Sequence, residues 1–246
     1  MTIKHRTKAF IFKKKERAEA DQVFSVFTED FGKLEIVARA IRKTKSKLRA
    51  GIDVFYLSEI EFIQGKNNKT LTDAVKIKKF SNINDDINKF EAAHRVADTL
   101  EGFIKGQEKD KKTFDLLNEF FENLNYRTHK NKNRQLIFYY FFWNCASIQG
   151  YKLEIEKCAT CQKKINPDSI YFSAKAGGIM CSNCFQQKRV VAELCFKINE
   201  DVIKVLRLIF AKNWNIISRL KVDEYSQDLL NKIYENSILS FYPQHC

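Results

Sequence analysis

Four cysteines occur as two close pairs, Cys158 with Cys161 and Cys181 with Cys184, and nineteen residues separate Cys161 from Cys181. Two residues between thiolates let both sulfurs of one turn face a single ion, and two such turns complete a tetrahedron. The spacing falls inside the C-x2-C-x15–20-C-x2-C pattern of zinc sites. Gly177 and Gly178 stand just before the second pair and permit a tight turn into it. Four protein ligands leave no open position, so the implied chemistry is one structural Zn²⁺ held by Cys158, Cys161, Cys181 and Cys184. Lys157, Lys163, Lys164, Lys188 and Arg189 are near enough in sequence to offset the negative charge of such a cage. Two disulfides or a redox dithiol are the rival readings. The first needs an oxidising compartment, and the second needs only one C-x-x-C. Cys145 and Cys195 lie in apolar surroundings and read as packed core, and Cys246 as a terminal free thiol.

A second constellation is cationic. Arg39, Arg42, Lys43, Lys45, Lys47 and Arg49 fall within eleven residues that contain no acid. Residues 1–80 hold 19 Lys plus Arg against 10 Asp plus Glu, so most of the chain's net charge of +13 lies in its first third. Concentration on one domain is what a phosphate-binding surface needs. A solvated, merely soluble loop is the plainer alternative. Further basic clusters are Lys13-Lys14-Lys15 and the stretch from Arg127 through Lys130 and Lys132 to Arg134. Phe55 and Tyr56, after the basic run, offer rings that could stack on bases, although such aromatics are more often core.

Catalytic patterns are absent. The four histidines are His5, His94, His129 and His245, and none stands in a nucleophile or metal-protease motif. There is no phosphate-binding loop of the G-x-x-x-x-G-K-[ST] kind and no telling pair of carboxylates. The expected activity is therefore binding, not catalysis.

These residues need elements to position them. Segments near 7–13, 22–28, 33–40, 52–64 and 71–79 are short, rich in Val, Ile and Phe, and bounded by turn residues. Ile60 and Phe62 alternate with Glu59 and Glu61, and Val75 and Ile77 with Lys76 and Lys78. Five strands in about eighty residues predict a small barrel, which closes its own edges. Beyond residue 80 the period becomes helical, with Ile87, Phe90, His94, Ala97, Leu100 and Ile104 on one stripe and Phe114, Leu117, Phe120, Phe121 and Leu124 on another. Leu136 to Trp143 is apolar on nearly every side, which predicts a central buried helix. Helical periodicity returns at Val202, Val205, Leu206, Ile209 and Phe210, and at Leu229, Leu230, Ile233 and Leu239. The expected organisation is an α+β chain: a barrel over 1–80, a helical part over 81–155, the cysteine module over 156–187, and a second helical part over 188–246.

No run approaches the ~18 apolar residues of a membrane span, and the first fifteen residues lack the apolar core of an export signal. The expected compartment is the reducing cytosol.

Taken in succession, the residues resemble a family. The stretch Glu19 to Leu34, the basic run Ala38 to Arg49, the apolar helix Leu136 to Trp143, and the Cys158 to Cys184 module with its glycines are similar to the RecO recombination mediators. That resemblance implies an N-terminal OB-fold that binds single- and double-stranded DNA, with the Arg39 to Arg49 loop as principal phosphate contact and the cysteine quartet as a structural zinc site. It implies annealing of complementary strands, including strands coated by the single-strand-binding protein SSB. The implied partners are the SSB C-terminal tail, RecR and, indirectly, the recombinase RecA, in a cytoplasmic, nucleoid-associated setting. Ala40 departs from the glycine frequent in the family and Thr44 from the proline. A zinc-ribbon RNA-binding factor fits the same residues, and an unrecognised nuclease is the enzymatic rival.

Overall fold

The computed structural model describes residues 3–104, 106–126, 134–165, 169–187 and 195–241. The chain divides into two compact units, Met1–Thr128 and His129–Cys246.

The first unit is built on five strands: β1 (Lys4–Arg17), β2 (Asp21–Thr28), β3 (Gly32–Ala38), β4 (Tyr56–Gln64) and β5 (Lys69–Lys79). They close into a barrel in the order β1-β2-β3-β5-β4, the five-stranded arrangement of an OB-fold. All pairings are antiparallel except β3 with β5, which meet in parallel at only two registers, Ile36 with Lys69 and Val37 with Thr70. Ile11, Phe24, Val26, Ile36, Ile60 and Phe62 fill the interior.

The alternation of Ile60 and Phe62 points inward as expected, but that of Val75 and Ile77 does not. Val75 is 54% exposed and Ile77 49%. Two bulges in the β4–β5 ladder skip Thr72 and Ile77, so Leu71 and Ala74, three residues apart, are the inward pair. A bulge reverses which face a later residue occupies, and nothing in the residue types announces one here.

Helices α1 (Ile87–Phe103) and α2 (Lys111–Tyr126) pack on the outside of the barrel. The strand β1 makes this possible because Phe10 and Phe12 alternate with Ala9 and Ile11, and all four are buried. The inner pair belongs to the barrel, and the outer pair faces the helices. Phe121 of α2 lies 4.1 Å from Phe10, 5.6 Å from Phe55 and 5.7 Å from Phe80 between ring centroids, making a second aromatic core. Asp86 caps α1 by accepting from the Asn88 N–H. The buried stripe of α1 is Lys89, Ala92, Ala93, Val96, Ala97 and Leu100. Ile87 is 72% exposed, so the stripe is rotated from the one its largest residues suggest. The α1–α2 connection is fastened to the β2–β3 turn by Lys109 on Asp30 (2.9 Å) and Lys111 on Glu29 (3.1 Å). The Lys109 ammonium, aided by the Thr7 hydroxyl, holds the Asp30 carboxyl below the usual carboxylate range.

The second unit centres on α3 (Arg134–Ile148), whose residues Leu136 to Ala146 are buried without interruption. Around it lie α5 (Glu200–Phe210), α6 (Trp214–Ile217) and α7 (Glu224–Phe241). Tyr234 of α7 packs on Phe138, Tyr139 and Phe142, and Trp214 on Tyr140. The buried Asn144 donates to the carbonyls of Tyr140 and Ile209, which ties α3 to α5. Between α3 and α5 the chain forms a small sheet in the order β7-β6-β8, from β6 (Ile170–Ser173), β7 (Gly178–Cys181) and β8 (Cys195–Ile198), with the short α4 (Ser182–Gln187) after β7. No described helix is long and apolar enough to cross a membrane.

Candidate metal centre and nucleic-acid interface

The small sheet positions the cysteines. Cys158 and Cys161 sit on a turn closed by a bridge between Lys157 and Lys164, where Cys158 N–H donates to the Lys163 carbonyl (2.9 Å) and Gln162 N–H to the Cys158 carbonyl (2.9 Å). Gln162 has a left-handed φ of 60°. Cys181 ends β7, and Cys184 lies one turn into α4. The Ala159 N–H donates to the Ile179 carbonyl at 2.8 Å, joining the first turn to β7. The two glycines have separate uses. Gly177 turns the chain with φ 74°, whereas Gly178 has no room for a side chain, since a Cβ there would lie 2.2 Å from the Glu154 carbonyl oxygen.

All four sulfurs lie within 4.8 Å of one another. Tetrahedral bonds of about 2.3 Å from a central ion require sulfurs about 3.8 Å apart, and Cys161 Sγ and Cys181 Sγ are 3.8 Å apart. The donor set therefore fits a four-thiolate metal. Burial alone would raise the Cys158 thiol, but backbone N–H groups of Cys161, Cys181 and Thr160 outweigh it and bring it down to about 6. Burial pushes the Cys184 thiol up to about 12 in the absence of a cation, with the neighbouring cysteines adding to the rise. A positive ion shared by the cage would favour the thiolate at Cys184 as well as at Cys158. Cys145 is buried in α3, as expected of a core thiol. Cys195 on β8 packs against the edge of the cysteine cluster, a proximity that its distance in sequence concealed. Lys157, Lys163 and Lys164 are exposed around the first turn, and Lys188, Arg189 and Cys246 lie outside the described residues.

The basic run forms the β3–β4 connection. Arg39, Arg42, Lys43, Lys45, Lys47 and Arg49 are all exposed. What holds them in place is a set of apolar pegs: Ile41 and Ile52 are buried in the barrel core, and Leu48 packs against it from a short 3-10 turn. The start is fixed by Ala40 N–H on Asp21 Oδ1 (2.7 Å) and the end by Ser58 Oγ on the Gly51 carbonyl (2.6 Å). Arg42 pairs with Glu16 at 3.3 Å, while the other five cations have no ion pair among the described residues. The pegs were readable as isolated apolar residues inside a charged stretch, a signal that the charge count passes over.

The Lys13-Lys14-Lys15 cluster differs. Lys13 pairs with Glu101 and Asp98, Lys15 with Glu101 (3.6 Å) and Lys14 with Asp53 (2.6 Å). The hydrogen bond from Lys13 is the chief cause that lowers the Glu101 carboxyl. Lys13 and Lys15 thus clamp α1 to the barrel, and Lys14 ties β1 to the end of the β3–β4 connection. Phe55 is 3% exposed and packs on Phe90, His94 and Phe121, so it is core and offers no ring to a base. The cluster from Arg127 through Lys130 and Lys132, and His129, fall outside the described residues, as does the side chain of Arg134.

Ala40 adopts φ 52°, a left-handed conformation that costs a residue with a Cβ about 1–2 kcal/mol and glycine almost nothing. Ala40→Gly is therefore expected to raise the urea midpoint of the first unit by the equivalent of about 1 kcal/mol, less the extra freedom glycine brings to the unfolded chain. A lowered midpoint would show that the strain is relieved in solution.

A closed five-stranded barrel with a pegged basic loop, joined in one chain to a helical unit with four converging cysteines, defines an OB-fold protein with an appended four-cysteine ribbon. The family models Recombination protein O N terminal and Recombination protein O C terminal match residues 1–80 and 84–240. A DNA repair protein RecO of Dehalococcoides mccartyi strain CBDB1 is 31% identical over 218 residues, covering 89% of this chain and 83% of that protein. Those of Alkaliphilus metalliredigens strain QYMF (25%, over 95% and 92%) and Listeria welshimeri serovar 6b (26%, over 87% and 80%) are similar along the same length. The chain belongs to the RecO family.

Proposed function

We propose that this protein is a DNA-repair and recombination mediator that works without catalysis, by binding single- and double-stranded DNA and annealing complementary strands, SSB-coated strands included. The observation that carries the reading is the pegged loop. Arg39, Lys43, Lys45, Lys47 and Arg49 are exposed and without ion pairs among the described residues, on an OB barrel, and Arg42 shares the same loop. Unpaired cations release counterions from DNA when they bind phosphate, and two strands held by one basic surface repel each other less. The quartet Cys158, Cys161, Cys181 and Cys184 would hold one structural Zn²⁺, the ion that four thiolates in a tetrahedron favour. Kinship with proteins named for DNA repair supports a DNA-repair setting, and the mediator reading extends it to contacts with the SSB C-terminal tail and RecR, assistance to RecA loading, and a cytoplasmic place on the nucleoid.

Annealing of two complementary fluorescent oligonucleotides, bare and SSB-coated, tests the reading. The expected result is faster annealing without nucleotide, abolished by high salt. The double variant Arg42→Ala with Lys45→Ala is expected to weaken binding across sequences and to shallow the log–log salt slope by about 0.7–0.9 per lost phosphate contact. An unchanged slope removes the loop from the interface, and a preference for RNA over DNA of equal length would move the reading to an RNA-binding factor.

A further inference from the structure

The charges of the second unit are not spread evenly over it. From Lys157 to Lys197 the sequence holds seven Lys plus Arg against two Asp plus Glu, whereas residues 198–246 hold six of each. The helices after the ribbon are thus balanced, and the cationic excess belongs to the ribbon itself. Four thiolates around one divalent ion would carry two negative charges, fewer than that excess of five. Lys157, Lys163, Lys164, Lys175 and Lys197 are all exposed and have no ion pair among the described residues.

The small sheet sorts these residues to one side. Ile170, Phe172 and Ile198 are buried on one face, while their neighbours Tyr171 and Lys197 are cross-strand partners on the other. Tyr171 stacks on Phe185 of α4, with ring centroids 3.9 Å apart and planes 8° from parallel. Both rings are half-buried, and Tyr171 packs against the cluster that contains Cys158 and Cys161. The bridge that closes the first cysteine turn sets Lys157 opposite Lys164. Like charges directly opposite each other destabilise a strand pair, and an anion laid across the two would relieve that repulsion. Lys175 stands on the turn between β6 and β7.

We propose that the cysteine ribbon is a second nucleic-acid surface, on which Lys157, Lys163, Lys164, Lys175 and Lys197 hold the phosphates of a second single strand. The Tyr171–Phe185 ring pair gives a base of that strand an aromatic face to stack on, a contact that every base can make. The basic loop and the ribbon belong to different compact units, so one chain offers each of two strands a surface. Strands held by one chain meet at an effective concentration far above that of free strands, which is what annealing needs. This inference rests on the nucleic-acid reading of the basic loop.

Native mass spectrometry of the full chain, mixed with two short, non-complementary single strands of different mass, counts the strands bound per chain. The unsubstituted protein is expected to take two. The triple variant Lys163→Ala, Lys175→Ala and Lys197→Ala is expected to take one and to anneal complementary strands more slowly. All three side chains are exposed, so an unchanged thermal midpoint is expected. The pair Lys175→Ala with Lys197→Ala, clear of the cysteine turns, is expected to weaken the second strand in the same direction. In a fluorescence titration the salt slope of the second binding step should fall by about 0.7 per lysine removed. One strand per unsubstituted chain, or two on the triple variant, overturns the ribbon surface and leaves the loop assignment standing. A second site that takes a glutamate-rich decapeptide and no strand overturns it as well. No strand bound by the unsubstituted chain overturns the loop assignment itself.

Discussion

Chelation at neutral pH of the ion that the quartet Cys158, Cys161, Cys181 and Cys184 is proposed to hold is expected to unfold the cysteine ribbon of the intact chain. The sheet that carries it has three strands of four residues each. Among the described residues, the fully buried core around the cysteines is Cys158, Met180 and Cys184. A core of that size does not offset the entropy of ordering the segment, and modules this small are held by metals or disulfides. Structural zinc binds with apparent free energies of about 10–16 kcal/mol, more than the net stability of most domains. Cys158→Ser is therefore expected to abolish stoichiometric zinc binding, read by native mass spectrometry, and to open the segment around Lys157 and Gly178 to protease. Barrel unfolding, followed separately, should keep its midpoint, because the ribbon lies outside the first compact unit. An unaltered proteolytic pattern after complete removal of metal would deny the ion a structural role.

The second large effect is expected at Phe121. Its ring is fully buried and meets Phe10, Phe55 and Phe80, while its neighbour Phe120 contacts it edge-on at 5.3 Å. Truncation of such a residue removes its transfer free energy and leaves a cavity, together about 3–5 kcal/mol. Phe121→Ala should lower unfolding stability in urea by that amount. Phe90→Ala is the matched control, since Phe90 sits on α1 with 39% of its surface exposed and should cost much less. Equal losses would mean that α2 is no keystone of the aromatic layer.

The two predictions draw on different kinds of legibility. The convergence of the four cysteines was readable because its information is local: residue type and spacing bring the sulfurs together, and they do converge. The central helix from Leu136 was readable for a related reason, since a segment apolar all round has only one place to go. The five strands and their closure followed from strand length and turns. The phases of β5 and α1 did not. Val75 and Ile77 look like core by type, yet the bulges at Thr72 and Ile77 turn them out, and a bulge is decided by the partner strand. On α1, small residues such as Ala92 and Ala93 take the buried face because the helix must approach the barrel closely, while Ile87 stays outside. The packing of α2 on Phe10 and Phe80 is a long-range match between segments that each look complete alone. Of the proposed interface, charge density marked the loop, but only geometry separates it from the Lys13 cluster, whose acids come from distant segments.

The manner in which the loop is pinned has a further consequence. Asp21 and Ile41 secure its beginning, and Leu48, Gly51 and Ser58 its end. At Gly51 a Cβ would stand 1.8 Å from the Ala74 carbonyl oxygen, so that anchor admits no replacement. Arg42 is still tied down, its N–H on the Ala20 carbonyl at 3.1 Å, but Lys43 to Lys47 hang between these fixed points and carry no core contact. The segment is therefore a cassette. Mutation can lengthen, shorten or recharge it while the scaffold beneath stays as it is. An engineer can therefore graft a foreign sequence at the same place without redesigning the barrel.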